Sequence, residues 1–260
     1  MGASPTLGTS MPPITRKHVN QDFFKEWSSN MAYVLGYFVA DGCISTSKGR
    51  PNNPYSFNIT SKDLENLEKI SKALNSTYRI SKKSGSSKNI AYQIQIRNSI
   101  LARDLMKLGI HPRKTYHLDP ILVPLKYFAD FTRGFFDGDG SVYIYTVNGT
   151  PQIKSSFIAV NFDFLKDFNG QLCKSLDIPE KSIHKALPKG INKMAQYSNC
   201  FYVDDSRKLA EFMYAGNPEL CLQRKRDIFE NWKSVRRRPM IKRNYPSKIG
   251  WRLSEGLKAV

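Results

Sequence analysis

Two aspartates, Asp41 and Asp139, hold the same place in two related stretches, Tyr33 to Gly42 (YVLGYFVADG) and Phe131 to Gly140 (FTRGFFDGDG). Each stretch reads as the end of an apolar helix, and the glycine after each aspartate suits the turn that closes one. A carboxylate there sits at the wrong end of the helix dipole, whose C-terminus repels anions. If the two helices pair, the carboxylates converge and repel each other as well. Divalent cations relieve both costs, and hard oxygen ligands suit Mg²⁺.

The elements that would bring the aspartates together are the helices themselves. Small residues recur four apart, Gly36 with Ala40 and Gly134 with Gly138, and at that spacing they share one face. Such a face lets two backbones approach closely. A glycine inside a helix costs about 1 kcal/mol relative to alanine, so the seam needs a reason. Two copies packed against each other supply it. One stretch alone would read as a buried amphipathic helix with a C-terminal glycine; the matched pair makes that the weaker reading.

Both stretches resemble the LAGLIDADG motif, and the chain is similar to single-chain, two-motif LAGLIDADG homing endonucleases. Val34 to Gly42 and Thr132 to Gly140 match the nine motif positions. The resemblance implies that Asp41 and Asp139 bind metal, helped by the backbone carbonyls of Ala40 and Gly138. It implies Mg²⁺ as cofactor, with Mn²⁺ expected to substitute and Ca²⁺ to support binding without cleavage. The first motif departs in having Val39 where the second has Asp137, an acid that is not the catalytic one. The resemblance covers residues 29–235.

The 260 residues carry 40 Lys and Arg against 22 acids, a formal charge of +18. Such an excess points to a polyanionic partner, nucleic acid before membrane, since no long apolar span accompanies it. From Cys221 to Val260 there are 12 basic and 3 acidic residues, so half the excess lies in the last forty positions. Cys43, Cys173, Cys200 and Cys221 form no CxxC pair, and four scattered histidines complete no zinc pattern. Reduced thiols and an intracellular setting are expected, in cytoplasm, nucleoid or organelle according to host. The first twenty residues lack the apolar core of a signal peptide.

In chain order, residues 1–20 read as disordered and Asp22 to Trp27 as a short leading helix, with Ser28, Ser29 or Asn30 capping the first motif helix. A polar hairpin loop is expected from Ser45 to Asn53. Tyr55, Phe57 and Ile59 then alternate with Ser56, Asn58 and Thr60, a half-buried strand. Ser61 caps a helix over Lys62 to Leu74. Strands follow over Thr77 to Lys83 and Ile90 to Arg97, joined by the loop Ser84 to Asn89, and a helix runs from Ser99 to Leu108. The connector His111 to Pro124 leads to the second motif helix, Leu125 to Asp139. Ser56-Phe57 returns as Ser156-Phe157, and Ile96-Arg97 as Val203-Asp204, with a loop insertion near Pro188 to Lys193. A last amphipathic helix spans Gln223 to Val235, opened by Arg224, Lys225 and Arg226. A basic tail, 236–260, completes the chain.

The fold class is therefore α+β. Two pseudo-symmetric αββαββα halves, 21–110 and 125–235, each carry a four-stranded antiparallel sheet, joined by the linker 111–124 and packed through the motif helices into a DNA-binding saddle. Ser56, Asn58, Arg79, Lys83, Gln93, Gln95 and Arg97 would read DNA from the first sheet, amides pairing with adenine and guanidinium with guanine. Lys154, Ser156, Gln196, Ser198 and Tyr202 would read it from the second, with Ile158, Cys200 and Asp204 also facing outward. A solvated sheet face is the plain alternative for either. Two unlike faces imply an asymmetric target and a monomer without obligate protein partner. The resemblance implies metal-dependent hydrolysis of both strands, an intron-homing double-strand break. Asn58 and Arg97 are placed beside Asp41 and Asp139 as further catalytic candidates. Their counterparts, Ile158 and Asp204, do not match them, and Asp204 is either an additional acid near the metal or a surface residue. The competing reading is an intron-splicing maturase, with intron RNA as partner, or a non-cleaving regulator on the same fold. An intein is disfavoured, since the chain starts Met-Gly and ends Lys-Ala-Val.

Overall fold

The computed structural model describes residues 17–83, 90–116, 118–188 and 194–236. Helix α1 (Ser29–Asp41) starts at Ser28, whose Oγ accepts the Met31 N–H at 3.1 Å. Strands β1 (Gly42–Ser47) and β2 (Arg50–Ser61), helix α2 (Leu64–Ala73), strands β3 (Ile80–Lys83) and β4 (Ala91–Ile96) and helix α3 (Ser99–Lys107) complete the first half. The second half repeats the order as α4 (Leu125–Asp139), β5 (Gly140–Val147), β6 (Thr150–Ala159), α5 (Phe162–Ser175), β7 (His184–Ala186), β8 (Gln196–Tyr202) and α6 (Val203–Tyr214). Helix α7 (Gln223–Arg236) follows. Both sheets are antiparallel, in the orders β1-β2-β4-β3 and β5-β6-β8-β7. The expected pair of αββαββα halves is the fold observed.

The core explains why the first motif helix is apolar on every side. From Met31 to Val39 every residue of α1 is buried, because the first sheet covers one face and α4 another. A helix hydrophobic all round belongs inside. Phe57, Ile59, Ile94 and Ile96 are fully buried beneath the first sheet, and Ile153, Phe157 and Phe201 beneath the second. Alternation of period two thus set which face of each strand points inward. No helix among the described residues is long and apolar enough to cross a membrane.

Several local expectations shift. Residues 22–26 form turns in place of a leading helix, too short a segment to recover the cost of nucleating one. Residues 17–20, expected to be disordered, are fastened to the first half: Val19 is buried, and the His18 N–H donates to Thr77 Oγ1 at 2.7 Å. The segment 45–53 is mostly strand, because Lys48-Gly49 alone makes the turn, with Gly49 at φ 73°. Asp63 precedes α2, while Ser61 Oγ accepts the Asp63 N–H and the Tyr37 hydroxyl proton. The loop 84–89, residues 189–193 of the expected insertion, residues 1–16 and the tail from 237 lie outside the described residues.

Candidate functional site

The seam between α1 and α4 is the most extensive contact between any two elements among the described residues. Its glycines are reciprocal. A Cβ on Gly36 would overlap the carbonyl oxygen of Phe131, and one on Gly134 would overlap that of Tyr33. One turn on, Gly138 faces the Ala40 methyl so closely that a Cβ would collide with it. The four interface residues read from the sequence, Gly36, Ala40, Gly134 and Gly138, therefore do one job. They let the two backbones touch.

Close backbones bring the helix ends together. A Cβ on Gly138 would stand 3.7 Å from Asp41 Oδ2, so Asp41 lies against the last turn of the opposite helix. Burial pushes the Asp41 carboxyl up to about 6, repulsion from Asp139 adds to the rise, and Lys114, Lys225 and the Tyr37 hydroxyl pull it back. Asp139 is also raised, by burial first, against the pull of Lys114 and Lys225. Each aspartate opens on its own cleft. Asp41 shares one with Tyr37, Thr60, Asp63 and Arg224, and Asp139 shares the other with Ala40, Lys114 and Asn161.

Two lysines, Lys225 buried and Lys114 half-buried, close the helix ends, and neither was singled out from the sequence as a site residue. Lys114, in the linker, donates to the carbonyls of Val39 at 2.5 Å and Ala40 at 2.7 Å. Lys225, in the first turn of α7, donates to the carbonyls of Phe136, Asp137 and Gly140 at 2.7, 2.8 and 2.6 Å. Helix C-termini leave carbonyls unpaired and carry partial negative charge, so each ammonium satisfies both needs. Burial lowers both, Lys225 to about 8, while the carboxylates hold them up. A signal for Lys225 was present in the sequence. Leu222, Lys225, Phe229 and Trp232 fall on one face at helical spacing, and all four are buried, so the lysine stands where an apolar residue belongs.

The arrangement of acids suits a divalent cation. Two carboxylates meet at helix ends that already repel anions, and both hold a proton more tightly than usual, by burial first and, at Asp41, by the charge of Asp139. Among the described residues no group of three or more His, Cys, Asp or Glu gathers to hold a metal. Asp41 and Asp139 with nearby carbonyls would leave most of an ion's coordination to water and substrate oxygens, the manner in which Mg²⁺ is usually bound. The Ala40 carbonyl is shared with Lys114, which leaves it a second lone pair.

The first sheet's outer face is largely as expected. Register pairs Asn58 with Gln95 and Ser81 with Gln93. Gln93 Nε2 donates to Asn58 Oδ1 and Thr60 Oγ1, both at 3.1 Å, so three polar groups share one network. Gln95, Arg97, Arg79 and Lys83 are exposed. Ser56 is not available: it is fully buried with its Oγ unpartnered. The cause is a bulge. Ser45 pairs with Ser56 but Thr46 with Pro54, so Tyr55 drops out of the ladder and, at 45% exposure, leaves the core face expected for it.

On the second sheet, register aligns Tyr143, Lys154 and Tyr202 in one row and Ser141, Ser156 and Cys200 in the next. Ser198 lies between Ile158 and His184, and Gln196 pairs with Ala186. The Lys154 ammonium lies 5.2 Å from the centre of the Tyr202 ring. All five residues proposed for this sheet thus share its outer face. Asp204 does not, because α6 begins at Val203 and places it in the first turn, where an acid complements the helix dipole.

Residues 28–109 match the model of the LAGLIDADG-like domain. No match was found among the curated proteins. Among solved structures, the LAGLIDADG homing endonuclease I-GzeII in complex with its DNA target is similar over 80% of this chain and 89% of its own, at 13% identity and a TM-score of 0.52. The I-DmoI structure in complex with DNA and Ca is similar over 78% of this chain and 94% of its own, at 16% identity and a TM-score of 0.49. At such identities the first of these likenesses establishes the fold.

Proposed function

We propose, from the premise that this is a two-motif LAGLIDADG protein, that it is a site-specific endonuclease. It makes a double-strand break in a long, asymmetric DNA target. The observation that carries this reading is the convergence of Asp41 and Asp139 at the ends of two helices locked by reciprocal glycine contacts. Nothing about folding requires two repelling carboxylates at adjoining helix ends, whereas metal-assisted hydrolysis can use such a pair to hold its ions.

In this reading the saddle of two sheets tracks the major groove, and the chain's excess of Lys and Arg holds the phosphates. Asn58, Gln93, Gln95, Arg97, Arg79 and Lys83 face one half-site. Lys154, Ser156, Gln196, Ser198 and Tyr202 face the other, without Ser56. Asp41, Asp139 and the carbonyls of Ala40 and Gly138 would hold divalent ions, Mg²⁺ by the donor set. When bound, the ions would polarise the scissile phosphates and help to generate the attacking hydroxide. The water oxygen forms a bond to phosphorus as the bond from phosphorus to the 3′ oxygen breaks, and that oxygen leaves with a proton. Lys114 and Lys225 fix the helix-end carbonyls and supply positive charge beside the carboxylates. Asn58 and Arg97 would order water and phosphate from the first sheet's outer face. Asp204 has no part in this arrangement.

The test is cleavage of a duplex library spanning an uninterrupted insertion junction, in Mg²⁺, Ca²⁺ or EDTA. Specific cutting of both strands is expected in Mg²⁺ alone, with Asp41→Asn and Asp139→Asn retaining binding but losing cutting or stopping at a nick. Tight binding without cutting in Mg²⁺ would replace the endonuclease with a maturase or regulator. Double cutting at the wild-type rate by either variant would remove the aspartates from the mechanism.

A further inference from the structure

Among the buried positions at which the two motifs differ is one with Val39 in the first and Asp137 in the second, and the structure shows what the acid touches. Asp137 is 2% exposed. Its Oδ2 accepts the backbone N–H of Leu222 at 2.7 Å and lies 2.9 Å from the Tyr33 hydroxyl. That hydroxyl is also 3.0 Å from the Asn66 amide oxygen, while Asn66 Nδ2 and Asp137 Oδ1 have no partner among the described residues. A hydroxyl donates only one proton. With the Asn66 amide turned to donate, Tyr33 gives its proton to the carboxylate and every group in that chain has a consistent role. Asp137 thus joins α1, α4 and the start of α7.

Leu222 is the residue from which α7 begins. Its carbonyl accepts the N–H groups of Lys225 at 3.0 Å and Arg226 at 3.3 Å. In a capping box the third helical residue, a Glu or Gln, reaches back to the N–H of the cap. Here that residue is Lys225, whose ammonium is turned to the carbonyls of α4. Asp137 supplies the missing acceptor from another helix, and its charge lies where the N-terminal dipole of α7 favours an anion. A second anchor holds the same turn: Arg224 grips Asp63 through two bonds of 2.8 Å. Lys225 follows directly after these anchors. Lys114 reaches α1 from the linker, with no helix start to fix, and the matching motif position is the apolar Val39, which is buried.

We propose that Asp137 is a positioning residue for Lys225: by holding the Leu222 N–H it sets the first turn of α7 and so delivers the ammonium to the end of the second motif helix. The functional part of this proposal rests on the endonuclease reading. It gives the two lysines separate supports. Loss of Asp137 disables Lys225 and leaves Lys114 in place.

The first experiment needs no cleavage. Acetic anhydride footprinting of the whole protein, read by mass spectrometry, measures how accessible each lysine amine is. Asp137→Val, which installs the residue found in the first motif, is expected to speed modification of Lys225 about tenfold and leave Lys114 unchanged. Asp137→Asn keeps an acceptor for Leu222 and is expected to restore most of the protection. Unchanged Lys225 labelling in a folded Asp137→Val protein overturns the proposal, as does equal acceleration at both lysines. If the valine variant does not fold, Asp137→Asn at wild-type protection and Asp137→Ser at about tenfold faster Lys225 labelling give the same decision, and equal labelling in the two overturns it. The second experiment follows each strand of a cleavable target. Asp137→Val is expected to slow the strand that Lys225→Met slows and spare the strand that Lys114→Met slows. Equal slowing of both strands overturns the assigned role, whereas absence of cutting by the wild type overturns the endonuclease reading and leaves the footprint to judge the positioning.

Discussion

Replacing Asp41 with asparagine should stabilise the metal-free protein, although the residue is proposed to be essential for cutting. The carboxyl is raised from 3.8 to about 6, by burial first and Asp139 second. A group raised in the folded state favours folding when protonated. Its contribution is complete below about pH 4 and is lost as pH rises through about 6. Two units correspond to about 3 kcal/mol held against the ionised form at neutral pH. An asparagine side chain cannot ionise, so Asp41→Asn should recover much of that energy at pH 8 and almost none near pH 4. For a chain of this size about 3 kcal/mol corresponds to a rise in Tm of roughly 6–12 °C. The assay is thermal unfolding in EDTA and in Mg²⁺ at several pH values. Mg²⁺ should raise the wild-type Tm most at pH 8, because the ion competes with the proton, and should do less for the variant. An Asp41→Asn protein no more stable than wild type at pH 8 in EDTA would refute the claim that the paired carboxylates are strained. A gain that persists undiminished at pH 4.5 would assign the effect to some other cause.

Gly36→Ala and Gly134→Ala should each cost at least about 3 kcal/mol or prevent folding, since the new methyl would meet backbone that cannot rotate aside; urea unfolding of both variants checks this, and losses below 1 kcal/mol would mean the seam can open cheaply. Deleting residues 239–260 removes five basic residues and one acid, and should lower the slope of log affinity against log salt if the tail lies on phosphates; an identical slope would place the tail off the DNA. Tyr143, Tyr202 and Ile158 share the outer face of the second sheet, against Tyr55 on the first, so replacing thymine by uracil should weaken binding more in the half-site beneath the second sheet. Each lost methyl contact should cost about 0.8 kcal/mol, roughly a fourfold change, measurable by competition, and equal losses in the two half-sites would count against unlike reading surfaces.

The repeat was legible because two kinds of periodicity survive in the sequence. Glycine and alanine four apart marked the seam, and alternation in Ile94, Ile96, Ile153 and Phe157 marked the buried sheet faces. What escaped was decided by contacts between distant segments. The bulge that expels Tyr55 depends on how β1 pairs with β2, which no property of residues 55–60 reveals. Asp204 was placed by analogy with Arg97, yet α6 starts three residues sooner than that analogy allowed. Lys114 gave no local signal, since its partners are carbonyls 74 and 75 residues away. Lys225 did give one, a cation in an apolar stripe, but the basic run Arg224 to Arg226 in which it stands concealed it.

The two lysines also bear on how a duplicated fold becomes asymmetric. The motif helices hold matching places in the two halves, and their ends pose the same problem of unpaired carbonyls beside a carboxylate. Each half solves it with an ammonium from outside the repeated αββαββα unit. The first takes Lys114 from the linker, and the second takes Lys225 from α7. A helix imposes a condition that a linker does not, because its first turn must be fixed for the side chain to arrive. Asp137 meets that condition in the motif that needs it, and valine suffices in the other. The acidic residue that distinguishes the two motifs is then explained by what each must hold, and its absence at Val39 signals no defect in the first site.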